Sequence, residues 1–132
     1  MKKFVIILFM ALILTGCVTE TDTEGKQRDL EFTVVKKEEI PEELRKDIEE
    51  RQKDTFQITY TDGNFLYIAE GYGIQPTSGY SVSVTEVYET ENAICIHTNL
   101  IGPGSGEEVK KTESFPYVAV KVEYSEKQVV FK

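Results

Sequence analysis

From residue 56 onward the chain alternates apolar and polar positions with the period of a β-strand. Phe56, Ile58 and Tyr60 alternate with Gln57 and Thr59, the pattern of a strand with one buried face. Asp62-Gly63 follows, a strong hairpin signal whose two central residues are expected at positive φ. The return strand, residues 65–70, is apolar on both faces near its middle (Phe65, Leu66, Tyr67, Ile68), as a central strand would be. Tyr80, Val82 and Val84 then face inward with Ser81, Ser83 and Thr85 outward. Residues 93–98, 117–124 and 128–131 complete the set. In the next-to-last of these, Val118, Val120 and Val122 point one way and Lys121 and Glu123 the other.

One segment before these strands has a different period. In residues 41–53, PEELRKDIEERQK, the apolar positions Ile40, Leu44 and Ile48 recur at four-residue spacing. That is a narrow helical stripe, so the helix lies against something larger. Pro41 suits the first helical position, and Glu42 and Glu43 favour the positive end of the helix dipole. Glu42–Lys46, Asp47–Arg51 and Glu49–Lys53 stand four apart with the acid first. Residues 32–35 form a short strand-like run ahead of it. No βαβ alternation and no internal repeat occur. The pattern predicts a mainly β (α+β) fold: an antiparallel β-sandwich or partial barrel of six to seven strands, with one N-terminal helix packed on it.

The start of the chain is set apart from this fold. Lys2 and Lys3 precede eleven unbroken apolar residues, Phe4 to Leu14, which is the layout of a secretory signal. The run falls short of the roughly 20 residues that span a bilayer. Leu14-Thr15-Gly16-Cys17 resembles the bacterial lipobox. That resemblance implies cleavage after residue 16 and a diacylglyceryl thioether on Cys17, which would hold the protein on the outer face of the cytoplasmic membrane. Residues 18–29, VTETDTEGKQRD, carry a single aliphatic residue and no aromatic, too little apolar surface to order a segment. They read as a tether with a span of roughly 20 Å. The expected organisation is a signal at 1–16, a lipidated cysteine and tether at 17–29, and a single domain at 30–132.

Charge and cysteine usage narrow the function. The whole chain carries a net charge of −8, and loss of Lys2 and Lys3 with no acid takes it to −10. Nucleic acid demands a basic patch, so it is excluded as a partner. The membrane is expected to be engaged only through the lipid on Cys17. With Cys17 lipidated, Cys95 has no disulfide partner.

Cys95 and His97 are the one thiol and the one imidazole left after the tether. Two apart on a strand, they share a face with Cβ atoms roughly 7 Å apart. An enzyme built on them would need hydrogen-bond reach and a third group to orient the base, and no residue supplies it in an obvious way. A small hydrophobe beside a rim histidine is the simpler reading. Two ligands are too few for a metal. Gly102-Pro103-Gly104-Ser105-Gly106 is followed by two glutamates instead of the Lys-Ser/Thr of a phosphate loop, and marks a mobile connection. No cofactor and no catalytic set is expected.

Gln75-Pro76-Thr77-Ser78-Gly79-Tyr80 is a loop of another kind. Pro76 fixes φ and Gly79 supplies a positive φ, with two hydroxyls between these stiff points and no charge. Such a contour suits recognition better than catalysis. Tyr72 and Tyr80 flank it as candidate aromatic anchors, Tyr80 fitting the core equally well.

FLYIAEGYGIQPTSGYSVSV, then TNLIGPGSG, then FPYVAVKVEY resemble the C-terminal domain of the PrcB family over residues 56–131. The family often carries a second glycine where this chain has Ser78. The resemblance implies an accessory lipoprotein that helps an extracellular or envelope protein, a protease in the family's type case, mature or stay stable. PTSGY also resembles the loop of chagasin-type cysteine-protease inhibitors, with Gln75 in place of the leading Asn. On these grounds the expected function is partner binding through Gln75–Tyr80, with Gly102–Gly106 beside it. Protease inhibition through the same loop is the first alternative, and an enzyme using Cys95 and His97 the second.

Overall fold

The computed structural model describes residues 25–132. The signal at 1–16, Cys17 and the tether up to residue 24 lie outside the described residues. Eight strands and one α-helix follow in the order β1 (Arg28–Asp29), β2 (Thr33–Val34), α1 (Glu42–Arg51), β3 (Thr55–Asp62), β4 (Phe65–Tyr72), β5 (Ser81–Glu89), β6 (Ala93–Ile101), β7 (Tyr117–Glu123) and β8 (Gln128–Phe131). They form two four-stranded sheets, β1-β5-β6-β8 and β2-β7-β4-β3. The expected sandwich with one helix is therefore present, with eight strands instead of six or seven. The additional strand is β1. Arg28 and Asp29 pair with Glu89 and Tyr88, so these two residues of the stretch read as tether belong to the first sheet.

Three layers result. Leu66, Ile68, Val118, Val120 and Val122 of the second sheet meet Val87, Ile94 and Ile96 of the first across the sandwich. Ile68, Ile96 and Val120 are completely buried, and each contributes roughly 1.5–3 kcal/mol by leaving water. On the other face of the second sheet, Ile40, Leu44 and Ile48 cover Phe56, Ile58, Tyr67, Ala69 and Ala119. The narrow apolar stripe of α1 is thus matched to one sheet face. Pro41 is the N-cap, one position before the first helical residue, and its carbonyl accepts from Arg45 N–H at 2.9 Å. Glu42–Lys46 and Asp47–Arg51 close at 3.7 and 3.0 Å. The helix ends at Arg51, so Lys53 lies beyond it.

Three details depart from the periodic reading. The β3–β4 register places Asp62 opposite Phe65, so the two turn residues are Gly63 and Asn64. Only Gly63 has positive φ, at 61°, which is the type II′ arrangement and not the doubly positive one expected from Asp-Gly. In β5 the register shifts between Val84 and Glu86. This bulge at Thr85 lets Val82, Val84 and Val87 all reach the core despite a three-residue step. Finally, β6 and β8 are parallel. The chain leaves β6, runs back as β7 in the other sheet and returns, so β8 regains the direction of β6. One intervening strand in the opposite layer produces a parallel pair that local pattern does not reveal.

Glu89 fastens the N-terminal strap. Its carboxylate pairs with Arg28 of β1 and with Lys127 Nζ, the latter at 3.2 Å, while Lys127 also donates to Thr90 O at 2.8 Å. The hydrogen bonds from Arg28 and then Lys127 hold the Glu89 carboxyl below the usual carboxylate range.

Two outcomes follow for stability. Leu44→Ala should cost about 2–5 kcal/mol in urea unfolding, because a side chain 1% exposed is removed from between helix and sheet. Glu89→Gln should lower the melting temperature at neutral pH. A depressed folded pKa stabilises above the ordinary carboxylate pKa and loses that contribution as pH falls through the folded value. The gap between wild type and Glu89→Gln should therefore close on acidification, measured as melting temperature against pH.

Candidate functional site

β4 ends at Tyr72 and β6 at Ile101, at the same end of the sandwich, since β4 and β6 lie in facing sheets and their following segments meet. Residues 73–80 and 102–116 leave from this end and are laced together. Gln75 and Ser114 exchange backbone hydrogen bonds of 2.9 and 3.0 Å. Ser78 N–H donates to Lys110 O at 3.0 Å, and Lys110 N–H donates to Ser78 Oγ at 2.8 Å. Ser114 Oγ donates to Thr77 O at 2.7 Å. The connection expected to be mobile is thus the second half of a tied pair of loops.

The two hydroxyls expected to face a partner are used internally. Thr77 Oγ1 donates to Ser78 O at 2.9 Å, and Ser78 Oγ is held by Lys110. Both residues are half-buried, and Gln75 Nε2 donates to Tyr72 O at 3.3 Å. What remains outward is Ile74, Pro76 and Gly79 on the first loop, and Gly102, Gly104, Ser105, Gly106 and Val109 on the second, with Pro103 half-buried. Gly79 has φ +91°, as Pro76…Gly79 spacing predicted. A Cβ there would lie 2.9 Å from Glu107 Oε2, 3.0 Å from Pro103 and 3.1 Å from Val109. The glycine therefore serves both conformation and close approach. Gly102–Gly106 does stand beside Gln75–Tyr80, and Glu107 comes with it. Its Oε1 accepts from Gly104 N–H at 3.1 Å. The contour is neutral at its crest and charged along one flank.

Neither flanking tyrosine is an outward anchor. Tyr80 is half-buried, its ring 3.4 Å from the Cβ position of Gly102, and it precedes β5 instead of lining the core as its first inward residue. Tyr72 turns into the sandwich, where its hydroxyl lies 2.6 Å from Thr98 Oγ1. Thr98 donates to Glu70 Oε1 at 2.6 Å, so Tyr72 is the donor of that pair. Gln57 Nε2 donates to the other Glu70 oxygen at 3.2 Å. This chain of polar groups leaves no buried side-chain atom without a partner among the described residues, and it stiffens the sandwich directly beneath the loops.

Cys95 and His97 occupy neighbouring outward positions of β6, as the spacing requires. They have different surroundings. Cys95 is 2% exposed and packs with Tyr88, Ala93 and Val130. Burial, and then the hydrogen bond to the Cys95 side chain, push the Tyr88 phenol up. His97 Nδ1 lies 2.5 Å from Thr85 Oγ1, which also donates to His97 O at 3.0 Å. The thiol faces a phenol and the imidazole faces the bulge hydroxyl. Among the described residues no three of His, Cys, Asp and Glu converge as a metal site would need.

Sequence reasoning missed Val109, Lys110 and Ser114, which hold the first loop in place. Their contacts cross thirty residues of chain or more, and no local pattern encodes them.

A family model described as PrcB C-terminal matches residues 66–123. The match runs from the second residue of β4 to the last of β7 and contains both loops. It is narrower than the span of 56–131 over which the motifs show their likeness. No curated protein matches the chain. No solved structure matches it.

Gly79→Ala should destabilise the domain by about 1–3 kcal/mol through strained φ and crowding, read by urea unfolding. Ser78→Ala should accelerate amide exchange at Lys110, whose N–H loses its acceptor, while leaving exchange in β4 and β7 unchanged.

Proposed function

We propose, from the match of residues 66–123 to the PrcB C-terminal family model, that this protein is a non-catalytic accessory lipoprotein that docks an extracellular or envelope protein through its paired loops. One observation carries the reading: five hydrogen bonds lock Gln75–Tyr80 against residues 110–114. A surface already fixed before docking loses little conformational entropy when a partner arrives. Its outward residues Ile74, Pro76 and Val109 provide apolar contact, with Glu107, Glu108, Lys110 and Lys111 giving the rim charges of both signs. In the type case of the PrcB resemblance the partner is a protease, and a protease is the first candidate here. The lipobox resemblance adds a thioether-linked lipid at Cys17 and a place on the outer face of the cytoplasmic membrane.

The reading gives separable tests. Pro76 is exposed and contributes no hydrogen bond to the loop pair, so Pro76→Arg should leave the melting temperature unchanged. It should reduce crosslinking of the full chain to its envelope partner about tenfold, the loss expected for roughly 1.4 kcal/mol of docking energy. Unchanged crosslinking would remove the loop from the interface. Cys17→Ser should move the protein from the membrane fraction to the soluble one; retention in the membrane fraction would remove the lipid anchor.

A further inference from the structure

The four end strands of the two sheets differ in length and in flanking charge. β1 and β2 are two residues long, with Lys26 and Arg28 at the first and Lys36 and Lys37 after the second. β8 has four residues set between Lys127 and Lys132. Short edges and flanking lysines are the usual protection against stray strand pairing. β3 also has a flanking lysine, Lys53, but none of the shortness. Its eight residues, TFQITYTD, pair with β4 at eight consecutive positions without a bulge, and contain no Lys, Arg or Pro. It is the outer strand of its sheet.

The backbone groups at that edge can be identified. Asp62 and Phe65 flank a two-residue turn, so they form a hydrogen-bonded pair, and the alternation of an antiparallel ladder gives Tyr60, Ile58 and Phe56 the same role. The N–H and C=O groups of Thr61, Thr59, Gln57 and Thr55 therefore point away from the sheet. None of these four residues takes part in another backbone hydrogen bond, and all four are exposed. Carboxylates surround this row on every side. Glu43 accepts from Tyr60 on the helix face, Glu70 accepts from Gln57 on the other face, and Asp54 and Asp62 stand at the two ends. Lys53 is the one neighbouring cation in the strand's approach.

We propose that the open edge of β3 accepts an extended basic segment of a partner protein, which adds to the second sheet beside Thr55–Asp62. Main-chain hydrogen bonds to Gln57, Thr59 and Thr61 supply the register, and Lys or Arg at alternate positions of the incoming strand, on its helix-side face, meet Glu43, with Asp54 and Asp62 at the two ends. A second copy of this chain fits less well. Antiparallel self-pairing centred on Ile58 sets Asp54 against Asp62 of the other copy, and pairing centred on Thr59 leaves the two as diagonal neighbours. The paired loops meet this edge at one end, where Ile74 N–H donates to Lys53 O at 3.2 Å and Gly73 lies against Asp54 and Thr55.

The test is amide exchange by NMR on the full chain, titrated with a short alternating Lys–Val peptide and with its Glu–Val counterpart. The Lys–Val peptide should slow exchange at Gln57, Thr59 and Thr61 by about tenfold or more, an effect that weakens as salt screens the carboxylates. The Glu–Val peptide should not. Thr59→Pro removes one outward donor and should abolish the protection. Thr59→Lys should abolish it too, with slow exchange at Ile58 and Tyr60 showing that the ladder is intact. Pro76→Arg should leave it unchanged, which separates this surface from the loops. The proposal fails if the three amides are already slow in the chain alone, which indicates self-pairing. It fails equally if the Lys–Val peptide leaves them fast, if both peptides protect them alike, or if protection survives in Thr59→Lys.

Discussion

β4 and β7 bury both of their faces, and that constraint organises the molecule. Ile68 and Val120 look toward the first sheet while Tyr67, Ala69 and Ala119 look toward α1. A strand pair apolar on two sides is stable only when two other layers cover it. The first sheet supplies one cover and the stripe Ile40–Leu44–Ile48 the other. The helix needs no broad apolar surface for this, because it has only one shallow face to fill. Its charged residues, paired along the outer side, are the solvated remainder.

The same layering fixes the loops. Because β4 and β6 end at the same end of facing sheets, the segments leaving them must run alongside each other, and Gln75, Ser78, Lys110 and Ser114 turn that proximity into hydrogen bonds. Below them, Tyr72, Thr98, Glu70 and Gln57 form a satisfied polar chain around Thr98, the one buried polar residue among those described. A half-buried carboxylate left alone there would be costly. Satisfied on both oxygens, it ties β3, β4 and β6 together just where rigidity benefits the loop surface.

Local pattern revealed what local forces determine. The period of two in residues 56–60 and 117–123, the glycine at the β3–β4 turn and the four-residue spacing in α1 each reflect a preference that a few neighbouring residues can express. The Pro76–Gly79 turn was legible for the same reason. The parallel β6–β8 pair, the bridge between Gln75 and Ser114 and the inward turn of Tyr72 depend on partners tens of residues away. Tyr72 illustrates the limit. Beside an exposed loop an aromatic residue reads as an anchor, and only the position of Thr98 in the opposite sheet shows that its hydroxyl belongs inside. The bulge at Thr85 lies between these cases, since the step from Val84 to Val87 breaks the alternation in plain view.

The distribution of charge gives the remaining link between fold and function. A domain with many more acids than bases repels copies of itself and anionic surfaces at distances up to the screening length, about 8 Å at physiological salt. Several lysines stand beside an end strand: Lys26 beside β1, Lys36 and Lys37 after β2, Lys53 before β3 and Lys127 before β8. β3 is the longest end strand, and apart from Lys53 its surroundings are acidic. Net negative charge protects it from a second copy without closing it to a basic strand. Protection by general repulsion and protection by local lysines differ in that respect, because the first discriminates between partners by sign and the second blocks them all.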